Sequence, residues 1–272
     1  EFCNKIGIDP LLVQGAGGNV SWKQGELLWV KASGTWLVNA MKQDIFVPVS
    51  LNTIMSEVKK GNFSFSPTSC KDNSLKPSIE TILHALMPQK FIVHVHAVEI
   101  LSILIRENCK DEIKSILGNN FSYIYLDYVK PGPDLAKAMH AELLRNPTAQ
   151  IVFLANHGVV IGADSIQEIE DLLSDLSELM TDTRNHSMIN ELKNKKDNLN
   201  SLMRAKNYRN AEGNTYNKLA LIPSLYNRLT SDWALCPDHV VFLGHEAKIL
   251  NKNIFLEEIG DSLENSPAFI FS

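Results

Sequence analysis

Apolar residues recur along this chain with two spacings. Phe91-Ile92-Val93-His94-Val95-His96 and Ile151-Val152-Phe153-Leu154-Ala155 are short, rich in β-branched residues and predict central strands, each leading towards a histidine. Leu27 to Ala32 has the composition of a further buried strand, between the turn signals Gly15-Ala16-Gly17-Gly18-Asn19 and Ser33-Gly34-Thr35. Elsewhere the spacing is helical. From Ser78, behind a Pro77 tolerated in a first turn, Ile79, Ile82, Leu83 and Leu86 share a face, and the pattern stops before Pro88. Asp134 to Leu144 follows the breaker Pro131-Gly132-Pro133, and Ser165 to Met180 carries Ile166, Ile169, Leu172, Leu173, Leu176 and Leu179. The stretch from Gly61 to Lys76, rich in Ser, Asn and Pro, reads as a loop. This interleaving predicts an α/β or α+β architecture.

Past Thr181 the pattern fades. The composition turns to Asn, Lys and Arg, which predicts a main domain over 1–180, a polar helical arm or linker over 181–217, and an extension over 218–272 that is too short for its own core and packs on the main domain. The extension holds one further strand candidate, Val240 to Leu243, and an apolar finish, Pro267 to Phe271, of strand character. That finish and the missing initiator Met lead us to expect a longer natural chain.

Composition narrows the function. The 272 residues, 44% hydrophobic and 21% charged, are ordinary for a globular protein, and no apolar run approaches a membrane span. A net charge of -5 argues against a polyanionic partner such as nucleic acid. Cys3, Cys70, Cys109 and Cys236 lie far apart, with neither thiolate metal spacing nor a disulfide framework, so a reducing cytoplasm is expected.

Three histidines carry the chemistry. In a strand, residues i and i+2 point to one face, so His94 and His96 can converge on one ion while Val93 and Val95 face the core. Such a pair also occurs as plain hydrogen-bonding residues in a sheet. A catalytic ion held by imidazoles needs a third ligand and an open position, and His157, after an apolar strand and before Gly158, is the candidate. Glu80, early in its helix, is either a general base or a carboxylate complementing the helix dipole. His84, one turn later, reads as structural. Asp238-His239 reads as a turn or cap. Dinucleotide binding through Gly15-Ala16-Gly17 fails, because no strand precedes it and Val20 occupies the sixth position of that fingerprint.

Taken in order, Gly17-Gly18-Asn19-Val20-Ser21, Ser33-Gly34, Pro77-Ser78-Ile79-Glu80, His94-Val95-His96 and Asn156-His157-Gly158 resemble the motifs of the class II aldolase/adducin family, from about Gln14 to Met180. The resemblance implies a three-layer αβα fold with a mixed, mostly antiparallel central sheet, zinc on His94, His96 and His157, and Glu80 as the catalytic acid/base. It also implies a substrate phosphate held by Asn19, Ser33, Gly34 and Ser78. The chain departs from the family at Ile79, where many members carry a second Ser. Lys31 or Lys76 is a candidate for the missing donor, the alternative being a solvated surface charge. The stretches around Lys76 and Lys31 resemble the branch in which an aldolase domain is fused to a short-chain dehydrogenase. Tyr128 is either a proton donor to the aldehyde or a packing residue. The implied reaction is reversible cleavage of a ketose 1-phosphate to dihydroxyacetone phosphate and an aldehyde, by a homotetramer. Relatives on this scaffold include a dehydratase, epimerases with Asp at the Glu80 position, and the non-catalytic adducins.

Overall fold

The computed structural model describes residues 1–71, 75–181, 222–229, 231–244, 247–249 and 270–271. The chain divides into two units, Glu1–Thr181 and Asp182–Ser272. The first is built on a seven-stranded sheet in the order β3-β2-β1-β4-β7-β6-β5. Its strands are β1 (Asn19–Gln24), β2 (Leu27–Lys31), β3 (Phe46–Ser50), β4 (Phe91–Val95), β5 (Tyr123–Leu126), β6 (Ile151–Leu154) and β7 (Gly158–Ala163). Neighbours are antiparallel except β5 and β6, which run parallel.

Two apolar clusters, one per face, make this a three-layer structure. Leu28, Val30, Val47, Val49, Ile92, Val152 and Val160 pack beneath α2 (Leu51–Lys59), α3 (Thr81–Leu86) and α6 (Pro133–Arg145). Alternate residues of the same strands, Val20, Val93, Val95, Phe153, Val159 and Ile161, pack beneath α1 (Phe2–Ile8), α4 (Val98–Leu104), α5 (Cys109–Leu117) and α7 (Ile166–Met180). The expected mixed, mostly antiparallel αβα fold is therefore the one observed. A sheet covered on both faces explains why β4, β6 and β7 read as continuous apolar runs rather than as alternations. The longest helix among the described residues, α7, is capped by Ser165, whose side chain accepts from the Glu168 amide, and buries Ile169, Leu173, Leu176 and Met180. Each buried aliphatic side chain contributes about 1.5–3 kcal/mol.

Some expectations need correction. The helix expected from Ser78 begins at Thr81, because Pro77 forms an isolated antiparallel bridge with Ala32 and Ser78 to Glu80 turn before the helix starts. Val240 to Leu243 is not a strand: His239–Leu243 forms a single wide helical turn, with Val241 70% exposed. A four-residue apolar run cannot distinguish strand from helix, and no ladder partner stands beside this one among the described residues. Ile270–Phe271 does pair, in parallel, with Lys248–Ile249. The polar arm expected over 181–217 lies, apart from Thr181, outside the described residues.

Candidate active site

Strand directions gather the chemistry at one end of the sheet. Asn19 opposes His94 across β1 and β4, and Leu154 opposes Gly158 across the β6–β7 hairpin. The start of β1, the ends of β2, β4 and β6, and the start of β7 therefore share that end. His94 lies on the same face as Ile92 and Val160, the face covered by α3, which brings the N-terminus of α3 and Glu80 over it.

The β6–β7 connection is a three-residue hairpin, Ala155-Asn156-His157. Asn156 has φ 53°, the one non-glycine positive value among the described residues, and asparagine tolerates that left-handed conformation. The His157 amide donates to Leu154 O at 3.0 Å and the Asn156 amide to Leu104 O at 3.1 Å. Gly158 is required by close approach. A Cβ there would lie 2.6 Å from Val95 O, 2.8 Å from His96 Cδ2 and 3.2 Å from His94 Cε1.

The three imidazoles converge. Their ligand atoms lie within 4.8 Å of one another, and all three residues are buried. His94 Nδ1 is 3.0 Å from Val159 O, and since a carbonyl only accepts, Nδ1 carries the proton and Nε2 turns its lone pair inward. His96 Nε2 lies 3.0 Å from that nitrogen. Two nitrogens bound tetrahedrally to one zinc ion sit about 3.3 Å apart, so little movement separates this arrangement from a ligated one. Glu80 Oε1 is 3.3 Å from His157 Nε2 and 3.6 Å from His94 Nε2. It makes no capping hydrogen bond to its own helix, and it faces the imidazoles instead.

Electrostatics fits the geometry. Burial pushes His94 down to about 3, with Glu80 opposing and the neighbouring His96 and His157 assisting, so its imidazole is neutral and available as a ligand. Burial works to raise the Glu80 carboxyl, but His94, the hydrogen bond from His157 and the charge interactions of His157 and His96 outweigh it. Glu80 is thereby held below the usual carboxylate range. The neutral His94 imidazole, with His96 and His157 converging beside it and the Glu80 carboxylate facing them, forms a donor set that suits a divalent ion.

The remaining candidates surround this cluster. The Ala32–Pro77 bridge sets the turn at Ser33-Gly34 beside Ser78: the Ser33 amide donates to Lys76 O at 2.8 Å and the Ser78 amide to Lys31 O at 3.3 Å. Ser33 and Gly34 are exposed, and the Ser78 hydroxyl accepts from the Glu80 amide. Asn19 is 1% exposed, yet neither of its side-chain polar atoms has a hydrogen-bond partner. Lys31 is not a solvated surface charge. It is 3% exposed, and its ammonium donates to Ala16 O at 2.9 Å and Thr35 O at 2.7 Å. Burial lowers it to about 8, against the pull of Glu80. Lys76 is exposed. Tyr128, two residues beyond β5, is 57% exposed, so the packing reading does not hold. The Ala155 amide donates to Leu126 O at 2.9 Å, which places the Tyr128 loop next to the His157 turn.

His84 stands apart from the three ligand candidates, fully buried, with Nδ1 2.7 Å from Ser21 Oγ. Asn156 was missed as a site-building residue; the signal was an Asn-His-Gly turn between two apolar runs. His239 faces its own segment, with Nδ1 3.0 Å from Trp233 O and 3.3 Å from the Leu235 amide nitrogen.

Several known proteins resemble this chain. A protein of Methanocaldococcus jannaschii named L-fuculose phosphate aldolase is 28% identical over 174 residues, covering 61% of this chain and 83% of that protein. An uncharacterized oxidoreductase, YuxG, of Bacillus subtilis is 31% identical over 199 residues, covering 63% of this chain but only 28% of its own length. The solved N-terminal class II aldolase domain of a conserved protein from Thermoplasma acidophilum superposes with a TM-score of 0.56 at 29% identity, over 66% of this chain and 88% of that one. Residues 1–181 match the family described as Class II Aldolase and Adducin N-terminal domain, and the chain belongs to that family.

Proposed function

We propose that this chain is a zinc-dependent aldolase that reversibly cleaves a ketose 1-phosphate into dihydroxyacetone phosphate and an aldehyde. The observation that carries the reading is the ionised Glu80 carboxylate within 3.6 Å of two of three convergent, buried histidines. His94, His96 and His157 would hold the ion, whose chemistry is Lewis acidity towards the carbonyl and hydroxyl oxygens of the donor. Glu80 holds and moves the proton. In the cleavage direction the bond between the donor carbon and the carbinol carbon breaks, the ionised Glu80 carboxylate takes the carbinol hydroxyl proton as the aldehyde forms, and Glu80 delivers that proton to the electron pair left on the donor carbon. In condensation Glu80 removes that proton. Tyr128, exposed on the loop beside the His157 turn, is assigned to the aldehyde oxygen.

The two bridged turns and Asn19 are assigned to the donor phosphate. Asn19 holds a buried amide with neither polar atom engaged, a costly arrangement unless a ligand completes it. Lys31 contributes a positive charge behind the turns and Lys76 one in solvent. This replaces the donor that Ile79, 74% exposed, does not supply.

Free cysteines at 3, 70, 109 and 236 support a cytoplasmic location, and none of the described helices is long and apolar enough to cross a membrane. The exposed Trp36, Ile79 and Tyr128 on loops at the active end of the sheet support a homotetramer in which another copy covers this edge. The short match to the Bacillus subtilis protein supports placement in the dehydrogenase-fused branch.

The test is proton exchange. Zinc-loaded protein incubated with dihydroxyacetone phosphate in heavy water loses the carbon-bound proton signal by NMR, and Glu80→Gln abolishes the loss. No exchange in a zinc-loaded wild type turns the assignment to a dehydratase or epimerase.

A further inference from the structure

Beneath the histidine cluster lies a buried polar pair with no part in the reaction scheme. Ser21 and His84 are both fully buried, one on β1 and one on α3, and Ser21 Oγ and His84 Nδ1 approach to 2.7 Å. Around them the contact between α3 and the sheet is apolar: Ile82, Leu83, Ala85 and Leu86 join Leu28, Val30 and Ile92 in one cluster. Apolar burial is non-directional, so it sets how deep α3 sits but only weakly sets its rotation and its slide along the sheet. A short helix of six residues, without a side-chain cap, is otherwise tied to the sheet at its ends, by the Ala32–Pro77 bridge before it and by the Lys23 ammonium on Met87 O after it, and neither reaches its middle.

The pair closes a ring of constraints. Ser21 opposes Ile92 and Asn19 opposes His94 in the β1–β4 ladder, so the position of Ser21 relative to His94 is set by backbone hydrogen bonds. His84 lies one helical turn after Glu80, and its amide donates to Glu80 O at 3.3 Å. Glu80 Oε1 then returns to His94 Nε2 at 3.6 Å and His157 Nε2 at 3.3 Å. Moving α3 by a fraction of a turn would break this buried side-chain contact in an otherwise apolar stretch of the seam, at a cost of about 1–3 kcal/mol for each buried group left unpaired, whereas the Lys23 ammonium, which donates to Met87 O, holds only the C-terminal end of the helix. His84 Nε2 already has no partner, so the Ser21 contact is the bond its imidazole has in this site.

We infer that Ser21 and His84 are positioning residues that fix α3 against β1 so that the Glu80 carboxylate meets the histidine cluster at proton-transfer distance. The inference rests on Glu80 being the base proposed above, and it gives the serine of the Gly-Asn-Val-Ser motif a role distinct from ligand binding. His84 stays neutral in this role, since burial holds it down at about 4.

The test uses Ser21→Ala and His84→Leu, which remove the contact, and His84→Asn, whose side-chain amide reaches the position of Nδ1. Two readouts are taken on the full chain: saturating proton exchange with dihydroxyacetone phosphate, and the visible spectrum of the Co2+-loaded protein, which responds to a carboxylate shifting near the ion. The expected result is a fall of about 10–100-fold in the saturating exchange rate for Ser21→Ala and His84→Leu, with KM and Co2+ stoichiometry unchanged. The double variant is no worse than either single one, His84→Asn recovers most of the loss, and the Co2+ bands shift in the two disrupting variants but not in His84→Asn. Wild-type spectra and exchange in Ser21→Ala would overturn the inference, as would losses that track loss of bound Co2+. A wild type without exchange, whose Co2+ bands nonetheless shift in Ser21→Ala, would overturn the proposed reaction and leave the positioning role standing.

Discussion

Replacing Gly158 by Ala should damage the metal centre while leaving every ligand in the sequence. The added methyl would sit 2.6 Å from Val95 O, 2.8 Å from His96 Cδ2 and 3.2 Å from His94 Cε1, where ordinary contact begins at 3.4 Å. The first of these atoms is backbone, in the ladder where Val95 opposes Val159, so it cannot swing away as the end of a flexible side chain would. The second belongs to a ligand candidate, so relief comes from displacing either the central β4–β7 pairing or the His96 ring by several tenths of an ångström. Overpacking of this kind costs about 1–3 kcal/mol of stability. Metal sites tolerate about 0.2 Å in ligand distance, so affinity should fall by at least the ~10–100-fold seen when a supporting contact to a ligand is lost. Competition with a chromophoric chelator gives the Zn2+ affinity, and urea denaturation of the metal-free protein separates the stability loss from it. Wild-type affinity together with wild-type stability in Gly158→Ala would refute the reasoning, because no atom within reach could then have needed to move.

Other consequences follow from the same geometry. Glu80→Gln should lower saturating proton exchange by about 10²–10⁴-fold while the bound metal content stays unchanged, checked by NMR exchange alongside metal analysis. Lys31→Met should weaken inhibition by inorganic phosphate by about 10-fold or more, since a buried charge-assisted donor behind the two turns is lost; a steady-state inhibition constant measures it. His84 should make the protein acid-sensitive. Its native pKa, near 4, lies below the 6.5 of the unfolded chain, so stability it contributes is present above pH 6.5 and is lost as pH falls from 6.5 to 4. The full loss is roughly 3 kcal/mol, and His84→Asn should flatten urea-derived stability against pH across that window.

How much of this was legible beforehand depended on how local the determinants were. His94 and His96 needed only the two-residue repeat of a strand, and their convergence follows from it. The sheet order did not yield to such reasoning, because β4 takes its partners from β1, some seventy residues earlier, and from β7, some seventy residues later. Pairings between distant segments leave no local spacing to read. The run after Gly158 carries no strand expectation in the sequence analysis, although every residue from Gly158 to Ala163 is buried as β7. Glu80 is legible from its motif, but its helix starts later than the periodicity predicts, because the Ser33 amide donates to Lys76 O and the Ser78 amide to Lys31 O around the Ala32–Pro77 bridge. Lys31 shows the same limit. Nothing in its immediate neighbours reveals that two backbone carbonyls from separate turns await its ammonium. Tyr128, whose residue type leaves proton donation and packing both open, stands in solvent because β5 has already ended at Leu126.

The most direct test of the account is to count the metal. Protein stripped with chelator and dialysed against Zn2+ should retain one ion per chain, with an X-ray absorption spectrum showing three imidazole nitrogens at about 2.0–2.1 Å. His94→Ala, His96→Ala and His157→Ala should each remove it. Zn2+ bound equally well by all three variants, or bound by none of the proteins including the wild type, would contradict the claim that these histidines form a metal centre.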